Sequence, residues 1–308
     1  MKTIFEFKTL TDFTDYFRDE KTCVEHFTAS RFRNGEYCPH CHHDKIYRCA
    51  NGKRYHCAKC KQDFTIRTKT VFGDSKLPLR KWYMAVYLLS NTSKGISSVQ
   101  LAKHVGVTQK TAWFMDHRIR KAMKQNRGQL FGRIEADETF VGGKEKFKHA
   151  NRRQHRGRGP IGKVAVMGLL DRHGPDGHSV VRAQVVASRR KGELQSNIRA
   201  NVAKGSVVYT DALKSYDGLD DEYVHEVIDH SEAYVADRVH TNGIENFWSL
   251  FKRIVYGTHH SVDPIHLDRY LAEAVRRFNN RALPDSAIFT QTAARVAGRR
   301  LTYKELTA

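Results

Sequence analysis

The sequence predicts an α/β protein whose main body is a mixed five-stranded sheet with helices, preceded by two smaller modules. Three observations predict it. Two Cys-x-x-Cys pairs fall within residues 38–60, a pair of helical patterns broken by a glycine occupies 97–124, and β-rich runs alternate with helical ones from residue 133 onward.

At 308 residues the chain is long enough for two or three domains and a full-sized core. Lysine and arginine total 53 against 33 acids, a formal net charge of +20 with a pI near 9.8. Such an excess favours a polyanionic partner, because bound cations displace counterions condensed on a nucleic-acid backbone. No apolar stretch approaches a membrane span, and Met1-Lys-Thr-Ile-Phe-Glu-Phe-Lys8 lacks a secretory apolar core. The expected location is cytoplasmic, at the nucleoid.

Cys38-Pro-His-Cys41 and Cys57-Ala-Lys-Cys60 are separated by fifteen residues, within the zinc-ribbon range. Cys38, Cys41, Cys57 and Cys60 are therefore expected to hold one Zn²⁺. A thioredoxin-like motif needs only one such pair beside a βαβ pattern, which this segment lacks. So small a module has little core, so the metal supplies much of its folding free energy. Cys23 and Cys49 read as packing thiols. Lys45, Arg48, Lys53, Arg54, Lys59, Lys61 and Arg67 are expected to form a basic face, suited to phosphate or simply solvated.

Pro78 starts an apolar helix, Leu79 to Ser90, after which Asn91 to Gly95 breaks the pattern. Ser97 to His104 and Thr108 to Lys124 then read as a helix-turn-helix with its turn at Gly106. Ala112, Met115, Ile119 and Ala122 line one face, and Thr108 can cap the second helix. Gln109, Lys110 and Thr111 are placed to reach a major groove, while Arg118, Arg120 and Lys121 suit phosphates. An ordinary helical hairpin is the alternative.

Arg133 to Val141 is the first strand of the main body. Lys163 to Asp171 and Ser179 to Ala187 flank the turn-forming Arg172-His-Gly-Pro-Asp-Gly177 and read as a hairpin. Glu193 to Lys204 is helical, with Gly205 as its cap. Strands at Val207 to Thr210 and Glu222 to Ile228 precede an amphipathic helix that carries Glu245. The order β, β-β, α, β, β, α is that of an RNase H-like core. Asp263 to Arg281 is a further helix, and the rest of the tail is basic. The expected division is a helical segment (1–34), the ribbon (35–68), the helix-turn-helix region (69–126), the catalytic core (130–260) and a helical tail (261–308).

Within that core, acids stand at strand ends and on a helix of a very basic chain. Glu135 and Asp137 share one face of the first strand and Glu138 the other. Asp211 ends the fourth strand, and Glu245 sits on the helix. Two Mg²⁺ ions roughly 3.5 to 4 Å apart can activate an attacking oxygen and stabilise a leaving one in phosphodiester chemistry, and they need only a few carboxylates. Strand position alone does not choose between Glu135 and Asp137. Lys252 lies two helical turns beyond Glu245. Residues 144–163 hold eight lysines and arginines against one acid, with Lys144, Arg152 and Arg153 among them. That loop is read as one that orders on DNA or stays disordered.

The layout resembles bacterial insertion-sequence transposases with an N-terminal zinc ribbon and a DDE core, a group related to the Merlin elements. The carrying residues are the two cysteine pairs, Glu135-Ala-Asp-Glu-Thr-Phe-Val-Gly-Gly-Lys144, Tyr209-Thr-Asp-Ala212, His240-Thr-Asn-Gly-Ile-Glu-Asn-Phe-Trp-Ser-Leu-Phe-Lys-Arg253 and Tyr270-Leu-Ala-Glu-Ala-Val-Arg-Arg-Phe-Asn-Asn-Arg281. The resemblance implies that Asp137, Asp211 and Glu245 hold Mg²⁺ or Mn²⁺ and that Lys252 positions a phosphate. It implies a DNA transposase that binds the terminal inverted repeats of an insertion sequence and performs strand cleavage and transfer into target DNA. Joining two ends implies a homodimer or larger assembly on double-stranded DNA. A domesticated, non-catalytic DNA-binding regulator and an RNase H-like nuclease or resolvase are the alternatives.

Overall fold

The computed structural model describes residues 7–50, 52–125, 128–143, 149, 151, 162–174, 176–228 and 240–308. The chain forms two compact units, one running up to Lys124 and resumed from Ala282, the other spanning Gln125–Arg281. The first three expected segments thus fold as one unit, and the expected tail is divided between the two.

The first unit opens with α1 (Leu10–Tyr16) and α2 (Glu20–Arg31). Thr9 and Asp12 form a reciprocal capping box on α1, satisfying N–H groups that a helix start otherwise leaves open. Three short antiparallel strands follow, β1 (Ile46–Arg48), β2 (Tyr55–Cys57) and β3 (Asp63–Phe64), in the order β1-β2-β3. Next comes α3 (Leu79–Asn91), whose start at Pro78 has no side-chain cap. Glu20 supplies one from a distance: its Oε1 accepts the Leu79 N–H at 2.8 Å and its Oε2 the Arg80 N–H at 3.0 Å. Arg67 holds the same carboxylate at 2.8 Å and donates to the Leu77 carbonyl, which removes it from the expected basic face. The predicted helical pair is α4 (Ser98–Val105) and α5 (Gln109–Met123), capped by Ser97 and Thr108. Gly106 takes φ +66° between them, a backbone state that favours glycine.

The second unit contains β4 (Arg133–Val141), β5 (Val164–Asp171), β6 (Val180–Val186), α6 (Lys191–Asn201), β7 (Val207–Asp211), β8 (Val224–Ile228), α7 (Asn242–Arg253) and α8 (Leu267–Asn279). Its sheet runs β6-β5-β4-β7-β8. The first three strands are antiparallel, and β7 and β8 continue parallel to β4. This is the mixed five-stranded, RNase H-like arrangement the sequence predicts.

Alternation along β4 divides the core. Ile134 and Ala136 join Leu194 and Ile198 of α6 on one face, while Val141 joins Ile244, Phe247 and Phe251 of α7 and Leu271 of α8 on the other. The α6 helix ends earlier than expected. Val202 turns extended, and the left-handed Gly205 belongs to the turn into β7 instead of capping the helix.

From Ala282 the chain adds α9 (Asp285–Ala294) and α10 (Tyr303–Thr307) to the first unit. Phe289 of α9 is fully buried among Phe13, Phe17 and Tyr83, with ring centroids 5.1, 5.5 and 5.3 Å away. The helical tail expected over 261–308 is helical here, but its packing into the first unit is not visible in its own sequence. Among the described residues, no helix is long and apolar enough to cross a membrane.

Candidate active site and metal centre

The four ribbon cysteines converge. Their sulfurs all lie within 4.8 Å of one another, with Cys38 to Cys60 at 3.7 Å and Cys41 to Cys57 at 3.6 Å. A tetrahedral zinc with bonds of about 2.3 Å requires sulfur spacings of about 3.8 Å. The thiolate set and its dimensions fit Zn²⁺. Each pair is built the same way. The residue after the second cysteine, His42 or Lys61, has φ near +60°, and its N–H returns to the carbonyl of Cys38 or Cys57. Burial pushes the Cys57 thiol up, but the N–H groups of Cys60 and Lys59 and the neighbouring thiols outweigh it and bring it down to about 6. Burial and the neighbouring thiols push Cys60 up, so the crowded sulfurs share protons, which zinc displaces when it binds thiolates.

The acid site is built by three elements. Register between the parallel strands pairs Glu135 with Tyr209, two residues before Asp137 and Asp211, and the Asp211 charge acts on Asp137. Glu245 lies in the first turn of α7, which packs on that same face. Trp248, one turn later, donates its indole N–H to Oδ2 of Asp137 at 3.0 Å. It can approach because Gly168, paired with Asp137 across β4 and β5, has no side chain: a Cβ there would sit 2.5 Å from the indole.

Negative charge collects here. Burial is the main cause that pushes the Asp137 carboxyl up to about 6, and the charges of Asp211 and Glu245 add to it against the Glu138 and Trp248 N–H donors. Glu138, on the opposite face, is pushed up to about 8 by burial first and then by Asp137 and Asp211, with Arg189 opposing. The Tyr216 hydroxyl donates to Glu138, tying β4 to the turn that follows Asp211. The three acids nevertheless do not draw together as the cysteines do, the one set among the described residues with all ligand atoms within 4.8 Å.

Glu135 has a different fate from Asp137. It is 1% exposed, and its oxygens accept from Arg172 Nε at 2.7 Å and from the Ile244 N–H at 2.8 Å. The two acids on one strand face thus differ in burial and in partners. Lys252 is half-buried on α7, seven residues beyond Glu245.

On the helix-turn-helix, Gln109 and Lys110 are exposed and Thr111 is half-buried at the start of α5. Gln109 donates to Ser98, Thr111 bonds Thr108, and the Lys110 ammonium lies 5.3 Å from the Tyr303 ring. Lys121 donates to the Arg300 carbonyl at 2.6 Å. Arg118 corrects the expectation. It is buried, donates to the Gly73 carbonyl, and lies 5.1 Å from both the Trp82 and Phe114 rings. A guanidinium so enclosed is part of the core, not a phosphate contact, and the buried Arg120 leaves the surface with it. Lys144, Arg152 and Arg153 lie outside the described residues.

Sequence reasoning missed Trp248, Glu135, Glu138 and Tyr216 as builders of the site. The signal available was the placement of Trp248 beside Glu245 on the helix and the two glutamates flanking Asp137.

The mixed sheet with acids on its strands and the four-cysteine set, in one chain with the matched transposase domain, point to a nucleic-acid-processing enzyme. Residues 129–279 match the ISXO2-like transposase domain, and residues 18–63 match the transposase zinc-ribbon domain. An uncharacterized protein of the transposable element ISH50 of Halobacterium salinarum is 31% identical over 269 residues, which cover 83% of this chain and 89% of that protein. An uncharacterized transposase-like protein of Haemophilus influenzae is 38% identical over 97 residues, 31% of this chain and 78% of that one. The chain belongs to the ISXO2-like transposase family. Among solved structures, the simian T-cell lymphotropic virus intasome in complex with PP2A regulatory subunit B56 gamma shows a far more distant likeness, with a TM-score of 0.28 and 16% identity over 62% of this chain and 64% of that one.

Proposed function

We propose that the protein cuts and joins DNA at the ends of an insertion sequence, using Asp137, Asp211 and Glu245 to hold Mg²⁺ or Mn²⁺. The observation that carries this reading is that Asp137 lies within reach of the charges of both Asp211, on the neighbouring strand, and Glu245, on the helix packed against β4. Burial first, and then the charges of Asp211 and Glu245, raise the proton affinity of Asp137, and a divalent cation relieves that repulsion. Mg²⁺ keeps several waters and takes further oxygens from substrate phosphate, so protein acids need not crowd as the cysteines do.

Asp137, Asp211 and Glu245 would hold the divalent ions, whose chemistry when bound would be to activate an attacking oxygen and stabilise a leaving one. The chain's own residues supply orientation. Trp248 fixes one oxygen of Asp137 and so orients the carboxylate. Asp211 accepts the Leu213 N–H at 3.2 Å, which orients its carboxylate at the strand end. Lys252, on the same helix as Glu245, holds a phosphate of the DNA strand. The ribbon and the exposed start of α5, with Gln109, Lys110 and Thr111, bind the terminal inverted repeats, Lys121 contacts phosphate, and Lys144, Arg152 and Arg153 grip the duplex. Cleavage frees a 3′-hydroxyl, which then attacks target DNA. Two ends brought together call for at least a homodimer on DNA.

The test is Asp137→Asn in an end-cleavage assay with Mg²⁺. Loss of cleavage with retained binding to the terminal repeats is expected; cleavage at the wild-type rate rejects the proposal.

A further inference from the structure

We infer that Glu135 is a positioning residue for the acid site: its carboxylate caps α7 from within the sheet and so fixes where Glu245 stands relative to Asp137. This rests on reading Asp137, Asp211 and Glu245 as the metal-holding acids.

The α7 helix begins without a cap of its own, since Thr241 makes no side-chain bond to the first-turn N–H groups. Its hydroxyl is turned to Glu245 Oε1, at 3.2 Å. A helix start leaves several N–H groups open and carries partial positive charge. Glu135 Oε2 meets that need by accepting the Ile244 N–H at 2.8 Å. Gly243 makes the approach possible, because a Cβ there would stand 2.9 and 3.1 Å from the two carboxylate oxygens.

The other oxygen anchors the clamp. Arg172 Nε donates to Oε1 at 2.7 Å, while its Nη2 reaches the His240 carbonyl at 2.6 Å. The same guanidinium lies 4.2 Å from the ring centroid of Tyr209 on β7. Nδ1 of His240 stands 3.5 Å from Oε1. One buried carboxylate therefore ties β4 to the first turn of α7 and, through Arg172, to the residue that leads into it.

The leverage comes from the chain. Ile244 immediately precedes Glu245, and Glu135 lies two residues before Asp137 on the same strand face. The clamp connects two of the three acids by nearly the shortest covalent routes available. Glu20 and Arg67 form the same remote cap on α3, where no acid site depends on it. At α7 the device sets the separation of metal-holding groups.

The experiment measures Mn²⁺ binding to the zinc-loaded full chain by the loss of the free-ion paramagnetic resonance signal, together with the Mg²⁺ dependence of end cleavage. Glu135→Gln places an amide donor against Arg172 or the Ile244 N–H, so one bond of the clamp breaks. Mn²⁺ affinity is expected to fall by about tenfold or more, the range for groups that orient ligands, and half-saturating Mg²⁺ is expected to rise in step. Gly243→Ala, which crowds the same carboxylate, is expected to do likewise and serves if Glu135→Gln does not fold. Wild-type Mn²⁺ affinity in a folded variant, even one with a lower melting temperature, overturns the inference. Asp137→Asn separates the two levels: if it too leaves Mn²⁺ binding intact, the reading of the acid site falls instead.

Discussion

Trp248 and Asp137 are joined by an indole N–H to carboxylate bond of 3.0 Å, linking the helix of the third acid to the strand of the first. Trp248→Phe keeps most of the packing and removes only the donor. Metal-dependent cleavage is expected to fall about tenfold with little change in the urea midpoint. Unchanged cleavage at limiting Mg²⁺ would show that the bond does not tune the site.

Gly168 is the vacancy that receives this indole. A Cβ there would meet Trp248 at 2.5 Å and Ile244 Cδ1 at 2.8 Å. Gly168→Ala is expected to destabilise the second unit by about 1–3 kcal/mol, as overpacked cores do, and to lower cleavage by displacing α7. Chemical denaturation measures the first effect and the cleavage assay the second. A variant as stable and active as wild type contradicts the packing described.

The ribbon should depend on its metal. Elemental analysis is expected to find one zinc per chain. Strong chelation or Cys57→Ser is expected to expose residues 38–60 to limited proteolysis while the Gln125–Arg281 unit survives. A protease pattern indifferent to zinc removal would rule out a structural metal.

Asp137 and Glu138 give the metal-free protein a definite pH response. Both have raised folded-state values, about 6 and about 8, so the folded chain binds more protons than the unfolded one between the ordinary and the raised values. Stability is therefore lost as pH rises through those values. Melting temperature without divalent ions is expected to fall between about pH 4 and 8, and Glu138→Gln should flatten that decline, above all between about pH 6 and 8. Added Mg²⁺ should raise the melting temperature more at pH 8 than at pH 6, since metal and proton compete for Asp137. Parallel wild-type and Glu138→Gln curves would exclude Glu138 as the source.

Phe289→Ala tests the aromatic centre of the first unit. Removing a fully buried ring is expected to cost about 3–5 kcal/mol, read as an early transition by near-ultraviolet circular dichroism. A shift below about 1 kcal/mol would place the ring outside the core.

The sequence carried the sheet because its periodicities are local. Ile134 and Ala136 alternate with polar neighbours along β4, and Ile244, Phe247 and Phe251 repeat at helical spacing, so both elements declare their buried faces. The choice between Glu135 and Asp137 was not legible, because two residues of equal parity on a strand differ only in what the rest of the chain places above them. Arg118 misled for a related reason. A cation on a helix reads as solvated until Trp82, Phe114 and the Gly73 carbonyl, distant in sequence, enclose it. The docking of the tail helices was not legible because the short α9 shows no one-sided apolar face, and its place was settled by Phe13, Phe17 and Tyr83 far upstream.

That last arrangement bears on how the protein is made. A ribosome releases the segments around Phe13 and Tyr83 long before Phe289, so the first unit must wait for the intervening sheet to be translated before its aromatic cluster can close. A message cut short before α9 would yield a finished acid-bearing sheet beside an open, sticky neighbour. Premature termination would thus tend to produce aggregation-prone fragments in place of competent shorter proteins.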